Sequence, residues 1–453
     1  MIKELAIWNY KSFKEAVLPL SRVTFLIGAN ASGKSNALEV LRLAGWLGHG
    51  YRLDDIEKKL GEVDSIRGSV RDLFASPRKV GQSRGVSENE PTFRYRIVLG
   101  KNEDVLTFEQ EISRHQGAQK ADQLVIIGES LVQYGKKVPY YEVVEQEIPV
   151  RTDGIDVRWD NHKRGGKKPH VECSNRRAIF LQIREGVRFA EDKDGQNQTV
   201  SQTADDLASA LDGIVFISPE VAKMRGYVHL QPGVRLDEDG GNVSAVVSNI
   251  CEKADDKKGL LAFIRTLPEQ DIKAIGFEKT KNNDVMVELQ EGFGAAKNTP
   301  ASLLSDGTLR VLAIGAALYS APKGALVVIE EIDNGVHPSR AKQLVDQLYR
   351  IAEARDLQIV VTTHNPALMD AIPSAEQQNV LCCYRNRETK VSEIRRLGDM
   401  PTFLDLLAQG ALGRSATTDD LEGWVTDKRS AKELVAERKD WLANFLAENG
   451  DAQ

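Results

Sequence analysis

The chain has 453 residues, 41% hydrophobic and 28% charged, with a formal net charge of −6. The length predicts two or three domains, and the acidic balance argues against a nucleic-acid grip over the whole surface without excluding a local basic groove. No apolar run is long enough to span a bilayer, the opening MIKELAIWNYKSFKE carries charges where a signal peptide has its apolar core, and four cysteines (Cys173, Cys251, Cys382, Cys383) lacking C-x-x-C spacing fit a reduced, cytoplasmic compartment.

The first 50 residues read as strand, loop and helix. Val23–Ile27 has the β-branched and aromatic composition of a buried strand, and Ala37–Leu47 repeats apolar residues at helical spacing. Between them, Gly28, Gly33, Lys34 and Ser35 satisfy G-x-x-x-x-G-K-[ST], in the strand-to-helix context that a phosphate-binding loop requires. Glycines let backbone N–H groups turn inward around phosphate oxygens, and the helix N-terminus adds partial positive charge. Lys34 would reach the β- and γ-phosphates of a nucleotide, and Ser35 would ligate Mg²⁺.

The middle of the chain has a different texture. TFRYRIVLG, DVLTFEQEI, QLVIIGESLVQYG and YYEVVEQEIPV predict an antiparallel sheet. Residues 203–212 and 243–265 predict helices, DIKAIGFEK and DVMVELQEG a hairpin. Sustained heptads are absent, so no long coiled-coil arm is expected. The loop HKRGGKKPH (162–170) supplies the best local basic candidate for DNA, His162 to Lys168, although a solvated hairpin tip explains it as well.

Alternation of short apolar runs with helices resumes near residue 300 and predicts a parallel sheet covered on both faces. In LSDGTLRVLAI, Ser305 and Gly307 could present a hydroxyl and a backbone N–H to a phosphate; Ser305 or Asp306 also suits a helix N-cap. GALVVIEE reads as a buried strand delivering Glu330 and Glu331 to its carboxyl edge, beside the phosphate loop of an open α/β sheet. Glu330 would serve the Mg²⁺ environment and Glu331 would polarise an attacking water. LQIVVTTH ends a strand in His364, which could hydrogen-bond a γ-phosphate or that water. HPS (337–339) reads as a helix start. Beyond 412 the sequence turns polar; the cluster Asp419, Asp420 and Glu422 reads as solvated, and an amphipathic helix is expected over about 430–447.

In this order, the motifs resemble the ABC-type ATPases of the RecF/SMC-like branch, and more closely the OLD-like "AAA family ATPase" group. The match covers residues 9–36, SPEVAKMRGY through LDEDGGNVSAVV (218–247), and SLLSDGTLRVLAI through TTHNPALMD (302–370). The resemblance implies an α/β P-loop ABC-type ATPase head with a parallel or mixed sheet, split by a β-rich and helical insertion. The boundaries would be 1–50 plus 291–400 for the ATPase, 51–290 for the insertion and 401–453 for a helical tail. It also implies a homodimer in which ATP lies between Gly28 to Ser35 of one subunit and Ser305 and Gly307 of the other. Asn30 looks like the residue that touches the γ-phosphate in relatives, with Asn36 completing the loop. Asn334 and Gly335 sit where the D-loop follows the catalytic glutamate, and Lys11, Ser12 and Phe13 where relatives approach the nucleoside. The signature is L-S-D-G-T rather than L-S-G-G-Q, and the Walker B strand ends in Glu-Glu rather than Asp-Glu. OLD nucleases carry a Toprim domain, which the residues after His364 do not resemble. The function implied is an ATP-hydrolysing, ATP-switched dimer that regulates a separate protein effector, frequently a nuclease, in antiphage defence. The rival is a RecF-like ATPase that clamps DNA in repair or maintenance; a non-hydrolysing scaffold is a third class, against which Glu331 and His364 argue.

Overall fold

The computed structural model describes residues 1–62, 66–75, 91–101, 104–116, 122–144, 153–161, 167–188, 197–265, 272–292, 297–334 and 337–401, together with Phe403, Leu412, Gly413, Gly423 and Glu433. Strands β1 (Ile2–Tyr10) and β2 (Phe13–Pro19) precede β3 (Val23–Ile27) and helix α1 (Lys34–Gly48). Helix α2 (Leu53–Lys59) is followed by β4 (Thr92–Lys101), β5 (Asp104–Gln116), β6 (Asp122–Gln133), β7 (Tyr141–Val143), β8 (Gly154–Trp159) and β9 (His170–Ser174). Helices α3 (Ile179–Arg188) and α4 (Asn197–Asp212) lead to β10 (Ile214–Ile217). Next come β11 (Val228–His229), α5 (Val243–Cys251), α6 (Ala254–Ile264), β12 (Ile272–Lys279), β13 (Asp284–Glu291) and β14 (Lys297–Pro300). The chain closes with α7 (Asp306–Ser320), β15 (Leu326–Ile329), α8 (Ala341–Ala354), β16 (Gln358–Thr363), α9 (Pro366–Ala371), β17 (Leu381–Arg385) and β18 (Ser392–Arg396).

Strands β10, β15, β16, β3 and β17 pair in that order as parallel neighbours. The register sets Ile217 beside Ile329, Ile329 beside Val361, and Thr363 beside Ile27. The carboxyl ends of β10, β15, β16 and β3 therefore share one edge of the sheet, which is where ligands bind in open α/β sheets. The strands are buried on both faces, and β3 shows how: Val23, Phe25 and Ile27 join the core that includes residues of α5 to α9, while Leu26 joins the core that includes α1, α3 and α4. Two-sided burial explains why these strands read as continuous apolar runs. Helix α8 shows the complementary helical pattern, burying Leu344, Val345, Leu348, Ile351 and Ala352.

The antiparallel strands expected in the middle of the chain belong to the same sheet. Strand β18 pairs β17 and β2, β2 pairs β1, and β1 pairs β4, from which β5 to β9 follow. Strand β10, which sequence analysis did not identify, lies inside the span 51–290 yet hydrogen-bonds to β15 in the parallel layer. Strands β12 and β13 form the expected hairpin, in a second sheet with β11 and β14. A buried carboxylate ties the antiparallel part together: Glu129 on β6 accepts from Gln110 Nε2 (2.7 Å), Tyr141 Oη (2.8 Å) and the N–H groups of Ile179 (3.0 Å) and Phe180 (2.7 Å) at the start of α3. Burial pushes this carboxyl up, against the hydrogen bonds it accepts. Among the described residues no helix is long and apolar enough to cross a membrane. Most of the loop 162–168, residues 145–150, Gly335, the acidic cluster at 419–422 and the helix expected over 430–447 (Glu433 apart) lie outside the described residues.

Candidate functional site

The phosphate loop leaves β3 at Gly28 and enters α1 at Lys34, three residues before the helix that apolar spacing alone predicted. Gly28 (φ +148°) and Gly33 (φ +117°) hold conformations that side chains rarely adopt. Both are also close-packed. A Cβ on Gly28 would lie 2.1 Å from the Cys383 carbonyl oxygen, and one on Gly33 would lie 2.6 Å from Ser392 Oγ. Lys34 Nζ donates to the carbonyls of Gly28 (2.7 Å) and Ala29 (2.9 Å), so its ammonium sits over the loop. Burial holds this lysine below the usual range, opposed by Cys383 and by the carboxylates Glu331 and Asp333. Asn30 stands exposed, Ser32 Oγ is buried without a hydrogen-bond partner among the described residues, and Asn36 Nδ2 donates to Ser12 Oγ (2.9 Å).

Strand β15 brings the carboxylates to this loop. Ser35 Oγ donates to Glu330 Oε2 at 2.9 Å, joining residues 295 apart in sequence. Behind Glu330 lies Arg42, seven residues beyond Ser35 and so on the same face of α1. Its guanidinium lies 3.7 Å from Glu330, pairs with Glu238 and stacks 4.2 Å from the centre of the Phe216 ring on β10. Glu331 takes a left-handed conformation (φ +49°), its N–H donating to Thr362 Oγ1 (2.8 Å) and its carboxylate accepting from Asn334 Nδ2 (2.7 Å). A non-glycine residue there is uncommon and turns Glu331 away from the strand direction. At the end of β16, His364 Nδ1 lies 3.5 Å from Asp333 Oδ2, while Asp333 Oδ1 is buried with no partner among the described residues. Sequence analysis passed over Asp333 and Arg42. The signals were a third carboxylate in EEID and an arginine amid the buried face of α1.

Ser35 and Glu330 are the pair suited to a divalent cation. Among the described residues no group of three or more His, Cys, Asp or Glu side chains could hold a metal ion alone. A cation here would take phosphate oxygens and water as further ligands, which is the habit of Mg²⁺.

Ser305 caps α7: its Oγ accepts from the Thr308 N–H at 3.2 Å, and Gly307 follows in the first turn. Among the described residues no hydrogen bond joins Ser305 or Gly307 to the phosphate loop of the same chain. The turn is held instead by Arg225, whose guanidinium donates to the carbonyls of Ser302 and Leu304 (2.9 Å each) and to Asp306 Oδ1 (2.6 Å). The residues expected near a nucleoside are committed elsewhere. Lys11 Nζ pairs with buried Glu39 and donates to the Arg67 carbonyl, and Phe13 is fully buried. Lys168, from the basic loop, pairs with Asp160.

None of the curated proteins matches the chain. Among solved structures it is similar to an SMC head domain from Thermotoga maritima (14% identity, covering 87% of this chain and 98% of that one, TM-score 0.42). It is also similar to an Smc head bound to the C-winged helix domain of ScpA (15%, 87% and 96%, 0.46) and to an Smc head with an extended coiled coil bound to the C-terminal domain of ScpA, derived from Pyrococcus furiosus (12%, 90% and 98%, 0.41). Residues 1–44 match the family "AAA ATPase domain". Residues 23–126 and 237–370 match the family "AAA domain, putative AbiEii toxin, Type IV TA system", and with the phosphate loop and the Glu330–Glu331 strand both inside those spans, the chain belongs to this family of AAA ATPase domains.

Proposed function

We propose that the chain binds and hydrolyses ATP as a nucleotide-switched dimer whose open or closed state regulates a separate protein effector, in antiphage defence. The observation that carries the hydrolytic reading is the 2.9 Å contact from Ser35 to Glu330, with Glu331 and the Asp333–His364 pair at the ends of the neighbouring strands. Lys34 exchanges its loop carbonyls for phosphate oxygens, and loop N–H groups orient the phosphates. Mg²⁺, held through Ser35 and Glu330, would neutralise phosphate charge. Glu331 accepts a proton from the attacking water, and Asn334 keeps its carboxylate aimed. His364, steadied by Asp333, donates toward the terminal phosphate.

The dimer is supported by the signature turn. Ser305 and Gly307 occupy a helix N-terminus that suits a phosphate, yet among the described residues no hydrogen bond links them to their own chain's phosphate loop. A second subunit would supply the missing half of each site. The family description names a putative toxin of a toxin–antitoxin system, which supports a defence setting. ATPase (1–50 and 291–400, joined by β10), insertion (the rest of 51–290) and tail (401–453) are the proposed division of labour, with the effector on the insertion or tail.

The test separates binding from turnover. Lys34→Ala should abolish ATP binding. Glu331→Gln should retain it and stop phosphate release, because an amide cannot accept the proton. Ordinary turnover in Glu331→Gln would remove that residue from the chemistry. Salt-sensitive duplex binding, with no protein partner captured from the native host, would favour the DNA-clamp reading.

A further inference from the structure

The signature turn contains a charge that its proposed role does not welcome. Asp306 lies between Ser305 and Gly307, the two residues offered to a phosphate, and its side chain is 73% exposed. A carboxylate there suits its own helix, since it sits at the positive end of α7. It does not suit an incoming polyphosphate. Once two subunits close and exclude water, like-charge repulsion grows several-fold over its value in solvent.

We propose that Arg225 is the positioning residue that answers this charge and makes L-S-D-G-T competent to meet a phosphate. This rests on the shared-site reading above. The guanidinium does two jobs with separate nitrogens. Nη2 donates to Asp306 Oδ1 at 2.6 Å, which neutralises the carboxylate and draws it toward Arg225. Nη1 donates to the carbonyls of Ser302 and Leu304 at 2.9 Å each, which fixes the backbone entering the turn. A planar fork reaches both sets at once; a lysine keeps the charge but not the geometry.

The position of Arg225 adds a consequence. It ends the 3-10 turn Lys223–Arg225, eight residues after β10 closes at Ile217, and β10 ends beside Ile329 at the root of the Glu330–Glu331 pair. The segment 218–225 therefore runs from the nucleotide edge of the parallel layer to the signature turn of the same chain.

The experiment measures ATP-dependent self-association by sedimentation in a Glu331→Gln parent, with Arg225→Gln, Arg225→Lys, Asp306→Asn and Arg225→Gln/Asp306→Asn added, and circular dichroism confirming the fold of each. Arg225→Gln should weaken association about tenfold or more. Arg225→Lys should lose less. The double variant should recover to within about threefold of Asp306→Asn, because removing the carboxylate removes the need for its counter-charge. Association of Arg225→Gln at the parent's strength overturns the proposal, as does a double variant no better than Arg225→Gln. A parent that stays monomeric with ATP overturns the shared-site reading and this inference with it.

Discussion

Substituting Gly28 by alanine tests the packing of the phosphate loop against its neighbouring strand. Two costs add. The backbone at φ +148° is nearly closed to side chains, costing about 1–3 kcal/mol. The new Cβ would also stand 2.1 Å from the Cys383 carbonyl oxygen, a backbone atom of buried β17, and 3.1 Å from Ser32 Oγ. Over-packing of this kind costs about 1–3 kcal/mol more. The sum, about 2–6 kcal/mol, is a large part of the stability of an ordinary domain. Gly135 supplies the control, with φ +80° and nothing within 4 Å of an added Cβ, so alanine there costs only about 1–2 kcal/mol of conformational energy. Urea unfolding followed by circular dichroism, with unchanged slopes, should place Gly28→Ala well below Gly135→Ala. The shift should carry nucleotide affinity down with it, because Cys383 Sγ donates to the Ser32 carbonyl within the loop. Equal midpoints for the two variants would refute the close approach of loop and strand.

Three further outcomes are expected. Glu129→Ala strands four buried donors and should destabilise the chain by at least about 3 kcal/mol in urea titrations. Because burial raises the native Glu129 value, the wild type should lose stability relative to Glu129→Gln as the pH rises from the ordinary carboxylate range through that raised value. Ser35→Ala should shrink the gain in nucleotide affinity on adding Mg²⁺ by about tenfold, measured as the ratio of Kd values with and without the metal. Asp333→Asn should cut phosphate release about ten- to hundredfold with little change in ATP affinity, since His364 loses the carboxylate that orients it.

What the sequence singled out is local in character. Gly28 to Ser35, Glu330 to Glu331 and His364 each follow a strand, and the parallel register of β15, β16 and β3 brings those strand ends to one edge. The helix start was misplaced by three residues because apolar spacing sees only the buried face, whereas Gly33 lets the chain turn at once into Lys34. Strand β10 was missed because IVFI is four residues wedged between a helix and a loop, with its partner β15 beyond residue 320. The antiparallel strands were expected, but not their place: they join the ATPase sheet through β1 and β4, where Ile7 pairs Tyr95 across a long separation. Arg225 was out of reach for the same reason, and Arg42 was marked only by standing amid the buried face of α1. An arginine declares its role only when Glu238 and Glu330, or Asp306, are folded against it.

The central claim is that two chains complete one another's nucleotide sites, and a mixing assay tests it most directly. Ser305→Arg should spoil the signature half while leaving the phosphate loop, and Lys34→Ala should do the reverse. Each alone should release no phosphate. Mixed under conditions where sedimentation demonstrates heterodimers, they should regain activity, up to one complete site per mixed dimer. Continued silence in a mixture shown to contain heterodimers would contradict the shared site.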